Sequence, residues 1–260
     1  MGNSAPARKE RHRPRRRRPG REGGVPRVRP RGRHRLPGRA DRRRAAAHRR
    51  GGRTRRGRAH TAVVDAYDEA AVDSYVAEVA DTAGGIDVSF NAVMYGDVQG
   101  TPLLDMPTDT FAAPLANAVR AQLATTRAAA RRMAARGSGA ILTVTGYGPP
   151  FPGLGTTAVT WQTVESLCRQ WAVELGPSGV RVAWVRIGGT YEGVVDAPDY
   201  GSGYTDAGGE ALLEELRSEA MLRRLPNLDE VGDAAAFLAS DRARSMTSTA
   251  VNLTAGTVSD

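Results

Sequence analysis

From Thr61 onward, short apolar runs alternate with stretches in which apolar positions recur every three or four residues. Thr61–Asp65 has the form of a short strand ending in an acid, and Glu69–Val79 carries helical spacing that Gly84 and Gly85 stop. Ile86–Phe90 reads as a strand running into Asn91. Thr108, just after Pro107, is placed to cap a long Ala-rich helix ending near Gly137. Ala140–Val144 is a β-branched strand, and Gly146–Gly155 is a Gly/Pro-rich loop. A helix is expected over Thr157–Leu175, closed by Gly176-Pro177, with a strand over Val180–Val185 after it. Beyond the Gly-rich stretch 188–209 the pattern predicts helices near Glu210–Ser218 and Glu230–Ala239, then a strand at Ala250–Leu253. Asn227 with Glu230 three residues on has the form of a capping box. Strands joined by crossovers of helical length imply a doubly wound α/β domain, a parallel sheet covered on both faces.

The first 60 residues share none of this periodicity. Of the 260 residues, this segment holds 24 of the 37 Lys and Arg and 3 of the 28 Asp and Glu, a net charge of +21. The other 200 residues carry 13 basic and 25 acidic side chains, a net of −12, so the overall +9 describes neither part. Among residues 1–60 only Met1, Val25, Val28 and Leu36 offer aliphatic or sulfur side chains larger than Ala. Such a segment cannot bury enough apolar surface to offset its ordering entropy, and the expectation is disorder. The domain reading is therefore 1–60 as an Arg/Pro/Gly-rich segment and 61–260 as the folded body. No apolar run spans a bilayer and no signal-peptide core is visible, so the expectation is a cytoplasmic protein without membrane contact. The single cysteine, Cys168, lies on an apolar helix face and reads as a packed thiol. No cluster of metal-ligating residues stands out.

Beyond residue 60 the order of short motifs resembles the short-chain dehydrogenase/reductase family. Those motifs are Asp65 at a strand end, Asp87-Val-Ser-Phe-Asn91-Ala92, Ile141-Leu-Thr-Val-Thr145, Val164-Glu165, Glu174-Leu-Gly-Pro177, Gly179-Val-Arg-Val182, Phe237-Leu-Ala-Ser-Asp241 and Val251-Asn-Leu253. The resemblance implies a Rossmann-like fold and an NAD(P)-dependent oxidoreductase acting on a small carbonyl or alcohol. It also implies a homo-oligomer built through the helices at 108–136 and 157–175. For the cofactor it points to Asp65, Asn91 and Ala92 at adenine and ribose, and to Ile187, Gly188 and Thr190 at the turn beside the nicotinamide. Ile187 stands there in place of the family's proline.

The family's catalytic residues do not follow. Counting back from Glu174-Leu-Gly-Pro177 puts Thr157 at the family's tyrosine and Trp161 at its lysine; Thr145 or Gly146 falls at the serine and Ala118 at the asparagine. No lysine occurs after Lys9. A threonine hydroxyl does not shuttle protons near neutrality without a base beside it, so the catalytic pair is missing and Thr145 is the one weak catalytic candidate. Turnover is expected to be impaired or absent. The alternative is a non-catalytic protein that binds a ligand or partner in the cleft.

The family's Gly-rich phosphate loop belongs in the first 60 residues, where it is absent. A one-base shift of reading frame is one account: the codons of Val28-Arg-Pro-Arg-Gly-Arg-His-Arg35, read from the second base, permit Phe-Ala-Arg-Glu-Gly-Ala-Thr-Val, as in the family's first helix and second strand. A genuine basic arm is the other. It would bind nucleic acid with steep salt dependence and, lacking aromatic residues, without sequence preference. Nucleic acid is the least supported partner. Without the family's central first strand, the strand at Thr61–Ala66 would be cut off from the sheet.

Overall fold

The computed structural model describes residues 59–195 and 209–259. The readings of 1–58 as disordered segment, shifted frame or basic arm lie outside the described residues.

The chain from Ala62 on forms one compact unit. Its sheet has four strands, β1 (Val88–Asn91), β2 (Gly139–Gly146), β3 (Val180–Ile187) and β4 (Thr249–Asn252), side by side in that order and all parallel. The registers Phe90↔Leu142, Leu142↔Ala183 and Ala183↔Thr249 align the strands so that their carboxyl ends share one edge. Crossover helices lie on both faces, as a doubly wound α/β sheet requires.

Alternation along β2 and β3 assigns each side chain to a face. Ile141, Val180, Val182 and Trp184 pack with Ala118, Ala121, Ala129, Ala130 and Met133 of helix α2 (Thr108–Arg136) and with Val164, Cys168 and Ala172 of helix α3 (Thr157–Leu175). Leu142, Ala183 and Val185 face the other way, against Ala235 and Leu238 of helix α6 (Leu228–Ala239). The alanines of α2 have a packing purpose, since small side chains let a long helix lie close to the sheet. Helix α1 (Glu69–Ala83) adds an outer layer by setting Val72 against Ala124 and Ala128. A short α4 (Tyr191–Val195) and α5 (Gly209–Glu219) complete the helices of the described residues.

Most boundaries agree with the sequence reading to within a few residues, and the capping box is present in full. Asn227 Oδ1 accepts from the Glu230 amide at 2.9 Å, and Glu230 Oε2 accepts from the Asn227 amide at 2.9 Å. Two expectations need correction. Thr61–Ala66 is not a strand, because no neighbour among the described residues offers it a ladder; β1 has β2 as its one partner there. Instead Asp65 begins a turn, with its Oδ1 accepting from the Tyr67 amide at 2.9 Å. Thr108 is the first helical residue of α2, not its cap; Pro107 holds the cap position without a side-chain bond. Helix α3 ends at Leu175 as read, closed by a 3-10 turn over Gly176–Ser178 after which Gly179 supplies the left-handed residue.

Candidate functional site

In open parallel sheets the ligand crevice lies outside the carboxyl ends of the strands. Here Asn91, Gly146 and Ile187 end β1, β2 and β3, so the three loops that follow define the place to look. Two of them are fastened together. The Gly100 amide donates to the Gly153 carbonyl at 2.7 Å, the Thr156 amide to the Val98 carbonyl at 3.0 Å, and the Val98 amide to Thr156 Oγ1 at 2.9 Å. Gly155 sits inside this strap at a φ of +61°, and a Cβ there would stand 2.0 Å from the Val98 carbonyl oxygen. Only glycine permits that approach.

The strap sets Gln99, whose Nε2 donates to Thr157 Oγ1 at 2.8 Å, over the start of α3. Thr157, which the sequence reading set against the family's tyrosine, has its hydroxyl engaged by that amide. One turn later the Trp161 indole, set by the same count against the lysine, lies against Gly146, where a Cβ would come within 2.8 Å of its Nε1. The Trp161 ring also meets the Tyr95 ring, with centroids 5.4 Å apart and planes tilted by 59°. Trp161 and Tyr95 thus form an aromatic corner beside the start of α3. Tyr95 is buried and accepts at its hydroxyl from Gln122 Nε2 at 2.8 Å; burial pushes its phenol up to about 12.

Two carboxylates border this corner. Glu165, one turn beyond Trp161, is completely buried. Arg186 grips it with two bonds of 2.7 Å, Arg169 adds a third at 2.9 Å, and Thr145 Oγ1 lies 3.3 Å from Oε1. Burial alone would raise its pKa, but the Arg186 guanidinium, with Arg169 behind it, holds the carboxyl below the usual range. Asp97, in the loop after β1, is the opposite case. Its Oδ1 is buried with no hydrogen-bond partner among the described residues, and burial pushes its pKa up to about 6, with the side chains of Trp161 and Thr160 opposing.

Thr145 is fully buried, with its hydroxyl directed to Glu165 rather than to an open cleft. Tyr147 is stacked under the Arg186 guanidinium at 4.1 Å. Asn91 spends its side chain internally, donating from Nδ2 to Thr125 Oγ1 at 2.8 Å and accepting from the Val93 amide at 3.0 Å; Ala92 beside it is exposed. Asp65 is exposed, and the Tyr67 hydroxyl links its turn to the Met94 carbonyl at 2.8 Å, which brings it toward the loop after β1. Across the sheet, Gly188 lies beside Tyr147 and Thr254, and Thr190 Oγ1 caps α4 by accepting from the Gly193 amide at 3.1 Å. The candidate cofactor residues therefore fall into two groups, Asn91 and Ala92 at the end of β1 with the Asp65 turn linked to the loop that follows, and Ile187, Gly188 and Thr190 at the end of β3.

Sequence reasoning passed over Asp97 and the role of Glu165. An acid one turn from Trp161 on an otherwise apolar stripe, four residues before an arginine, was the readable signal for Glu165. Asp97 carried none. Among the described residues no group of three His, Cys, Asp or Glu side chains could hold a metal. An open groove of about 410 Å³ between Met221, Arg224, Asn252 and Val258 lies at the end of β4, apart from the aromatic corner.

This arrangement, ligand loops at the carboxyl edge of a parallel sheet, defines a Rossmann-like protein. The sequence model of the enoyl-(acyl carrier protein) reductase family matches residues 39–257, beginning ahead of the Thr61 boundary read from composition. The oxidoreductase UcpA of Escherichia coli strain K12 is 32% identical over 199 residues, spanning 74% of each chain. The NADH-dependent enoyl-[acyl-carrier-protein] reductase FabI of Synechocystis is 26% identical over 195 residues, 74% of this chain and 72% of the relative. Among solved structures, an NAD+-bound xylitol dehydrogenase superposes with a TM-score of 0.66 at 22% identity, over 75% of this chain and 78% of that one. The chain belongs to the short-chain dehydrogenase/reductase family. Among the described residues no helix is long and apolar enough to cross a membrane.

Proposed function

We propose that this chain is a short-chain dehydrogenase/reductase that has lost the family's proton transfer and keeps its cleft as a binding site for a small molecule. The observation that carries the reading is the seating of Trp161 against Gly146 and Tyr95, at the position where the family places lysine. An indole carries no positive charge with which to lower a phenol's pKa as a lysine ammonium does, and the Thr157 hydroxyl beside it is tied to Gln99. Thr145 cannot stand in, since its hydroxyl is turned to Glu165.

NAD(P) is the cofactor class the family implies, and it supplies hydride transfer when bound. The described residues fit its two ends. Exposed Asp65 with Ala92 would hold the adenosine side, and the turn of Ile187 and Gly188, with Thr190 behind it, the nicotinamide side. Asn91 would act through its backbone, because its side chain is already engaged. The family's pyrophosphate loop belongs before Thr61, where this sequence carries no counterpart to it. A cytoplasmic setting agrees with a single buried thiol, which burial pushes up to about 12 and which has no partner for a disulfide.

The test uses the full chain. NADH and NADPH oxidation is followed with a panel of ketones and aldehydes, while tryptophan emission is recorded during titration with the same compounds and with the dinucleotides. The expected result is quenching without turnover. Turnover above background that Thr145→Val abolishes would overturn the reading.

A further inference from the structure

We propose that the cleft takes a small organic ammonium compound with an apolar body, its cationic head held at Asp97 beside the Trp161 and Tyr95 rings. The proposal rests on the ligand-binding reading above and gives that ligand its chemistry.

Three observations meet at this place. The first is a buried acceptor with nothing to accept: Asp97 Oδ1 has no donor among the described residues. A buried carboxylate oxygen left without a donor costs more than the usual net value of a hydrogen bond, so an incoming donor gains there. The second is the company it keeps. Trp161 and Tyr95 form a tilted aromatic pair with centroids 5.4 Å apart, and indole faces attract cations. No ion pair reaches Asp97 among the described residues, whereas Glu165, on the same helix as Trp161, is already neutralised by Arg186 and Arg169. Asp97 is thus the acid at this corner whose charge lacks a counter-charge. The third is the rim. Met94, Leu103 and Leu104 after β1 and Phe151 after β2 are large apolar side chains left exposed on the two loops that the strap joins, and Tyr191 and Val195 are exposed on α4, which follows β3. Such a rim favours an alkyl or aryl body over a sugar.

The strap supplies the positioning. Bonds from Val98 and Gln99 to Thr156 and Thr157 fix the segment immediately after Asp97 to the start of α3, so the carboxyl stays beside Trp161 in the absence of ligand. Because burial pushes Asp97 up to about 6, a cation that needs the ionised form binds more tightly as pH rises through 6 and levels off above it. The other groups at this corner do not titrate there: the Trp161 N–H and the Thr160 hydroxyl keep their protons throughout this range, and burial pushes the Tyr95 phenol up to about 12.

Calorimetric titration of the full chain with phenethylammonium, phenethyl alcohol and hydrocinnamate distinguishes the cation from its neutral and anionic counterparts of similar shape. At about pH 7.5 the ammonium is expected to bind at least about tenfold more tightly than the alcohol. Asp97→Asn, with its fold checked by circular dichroism, should remove that preference, and Asp105→Asn should leave it intact. Equal binding of the three probes, binding of none, or a preference that survives Asp97→Asn would overturn the proposal. Nicotinamide oxidation measured on the same preparations addresses the loss of turnover separately: turnover would sink that reading without touching the ammonium preference.

Discussion

Glu165 and Asp97 are carboxylates set at neighbouring places around the first turns of α3, and their surroundings are opposite. Glu165 lies in a closed corner between helix and sheet, where two arginines and a threonine take up its oxygens. Asp97 lies in a loop corner made of rings and hydroxyls, where the side chains of Trp161 and Thr160 offset only part of the burial and Oδ1 finds no donor among the described residues. The difference teaches which acid is structural and which is available. A fully paired buried charge resists change, whereas an underpaired one awaits either a proton or a ligand.

The largest break in that contrast is Glu165→Gln. The amide keeps the shape but removes the charge that Arg186, itself nearly buried, grips with two bonds of 2.7 Å. Removing one member of a buried pair typically costs about 3–5 kcal/mol, and chemical denaturation at neutral pH should read a loss in that range. The pH dependence follows from the direction of the shift. The folded pKa of Glu165 lies below its unfolded value, so its contribution is present above the unfolded pKa and disappears as pH falls through the folded one. The wild type should therefore approach the variant in acid.

Gly155→Ala comes next. A left-handed φ of +61° and a Cβ 2.0 Å from the Val98 carbonyl oxygen leave alanine no place without moving the strap. A loss of about 2–3 kcal/mol is expected, with faster hydrogen exchange at the Val98 and Thr156 amides and a fall of the Asp97 pKa toward its ordinary value as the loop opens. An unchanged Asp97 titration would show that the strap does not hold that carboxyl in place.

Asp97→Asn carries the opposite sign. A carboxyl whose folded pKa is raised to about 6 from 3.8 contributes stability below the unfolded value and loses it as pH climbs through 6. The asparagine variant escapes that loss. It should match the wild type near pH 4 and exceed it by about 2 kcal/mol above pH 6, measured by urea denaturation at both pH values. Destabilisation by Asp97→Asn at neutral pH would erase the contrast with Glu165.

How much of this was legible beforehand differs between the two acids for a physical reason. Helix α3 was readable from end to end because its apolar stripe of Val164, Cys168 and Ala172 has a fixed period, and Glu165 could be placed on it. Its arginine partner could not be placed, since Arg186 comes from β3 and the two meet only through packing. The fold of the body was readable because strand and crossover lengths narrow the topologies. Thr61–Asp65 failed for the converse reason: β-branched composition describes a residue's fitness for a sheet, and pairing needs a neighbour. That no lysine follows Lys9 was plain in the sequence. The contact of Trp161 with Gly146 was not, because it joins a helix to a strand end, and Asp97 lies in a loop without any period.

The smallest effect sharpens the comparison from within one corner. Arg169 and Arg186 both bond to Glu165, but the Arg169 side chain is 46% exposed and that of Arg186 is 14% exposed. Water already solvates much of the Arg169 guanidinium, so losing its bond at position i+4 returns little more than a surface pair would. Arg169→Met keeps the stem that packs near Trp184, with the guanidinium carbon 5.2 Å from that ring, and removes only the charge. Denaturation of this variant should show a loss of about 0.5–1 kcal/mol, well below that of Glu165→Gln. In the double variant Glu165→Gln, Arg169→Met the two losses should not add, because the Arg169 bond has no carboxylate left to serve. Strict additivity would mean that Arg169 acts through Trp184 instead of through the buried acid.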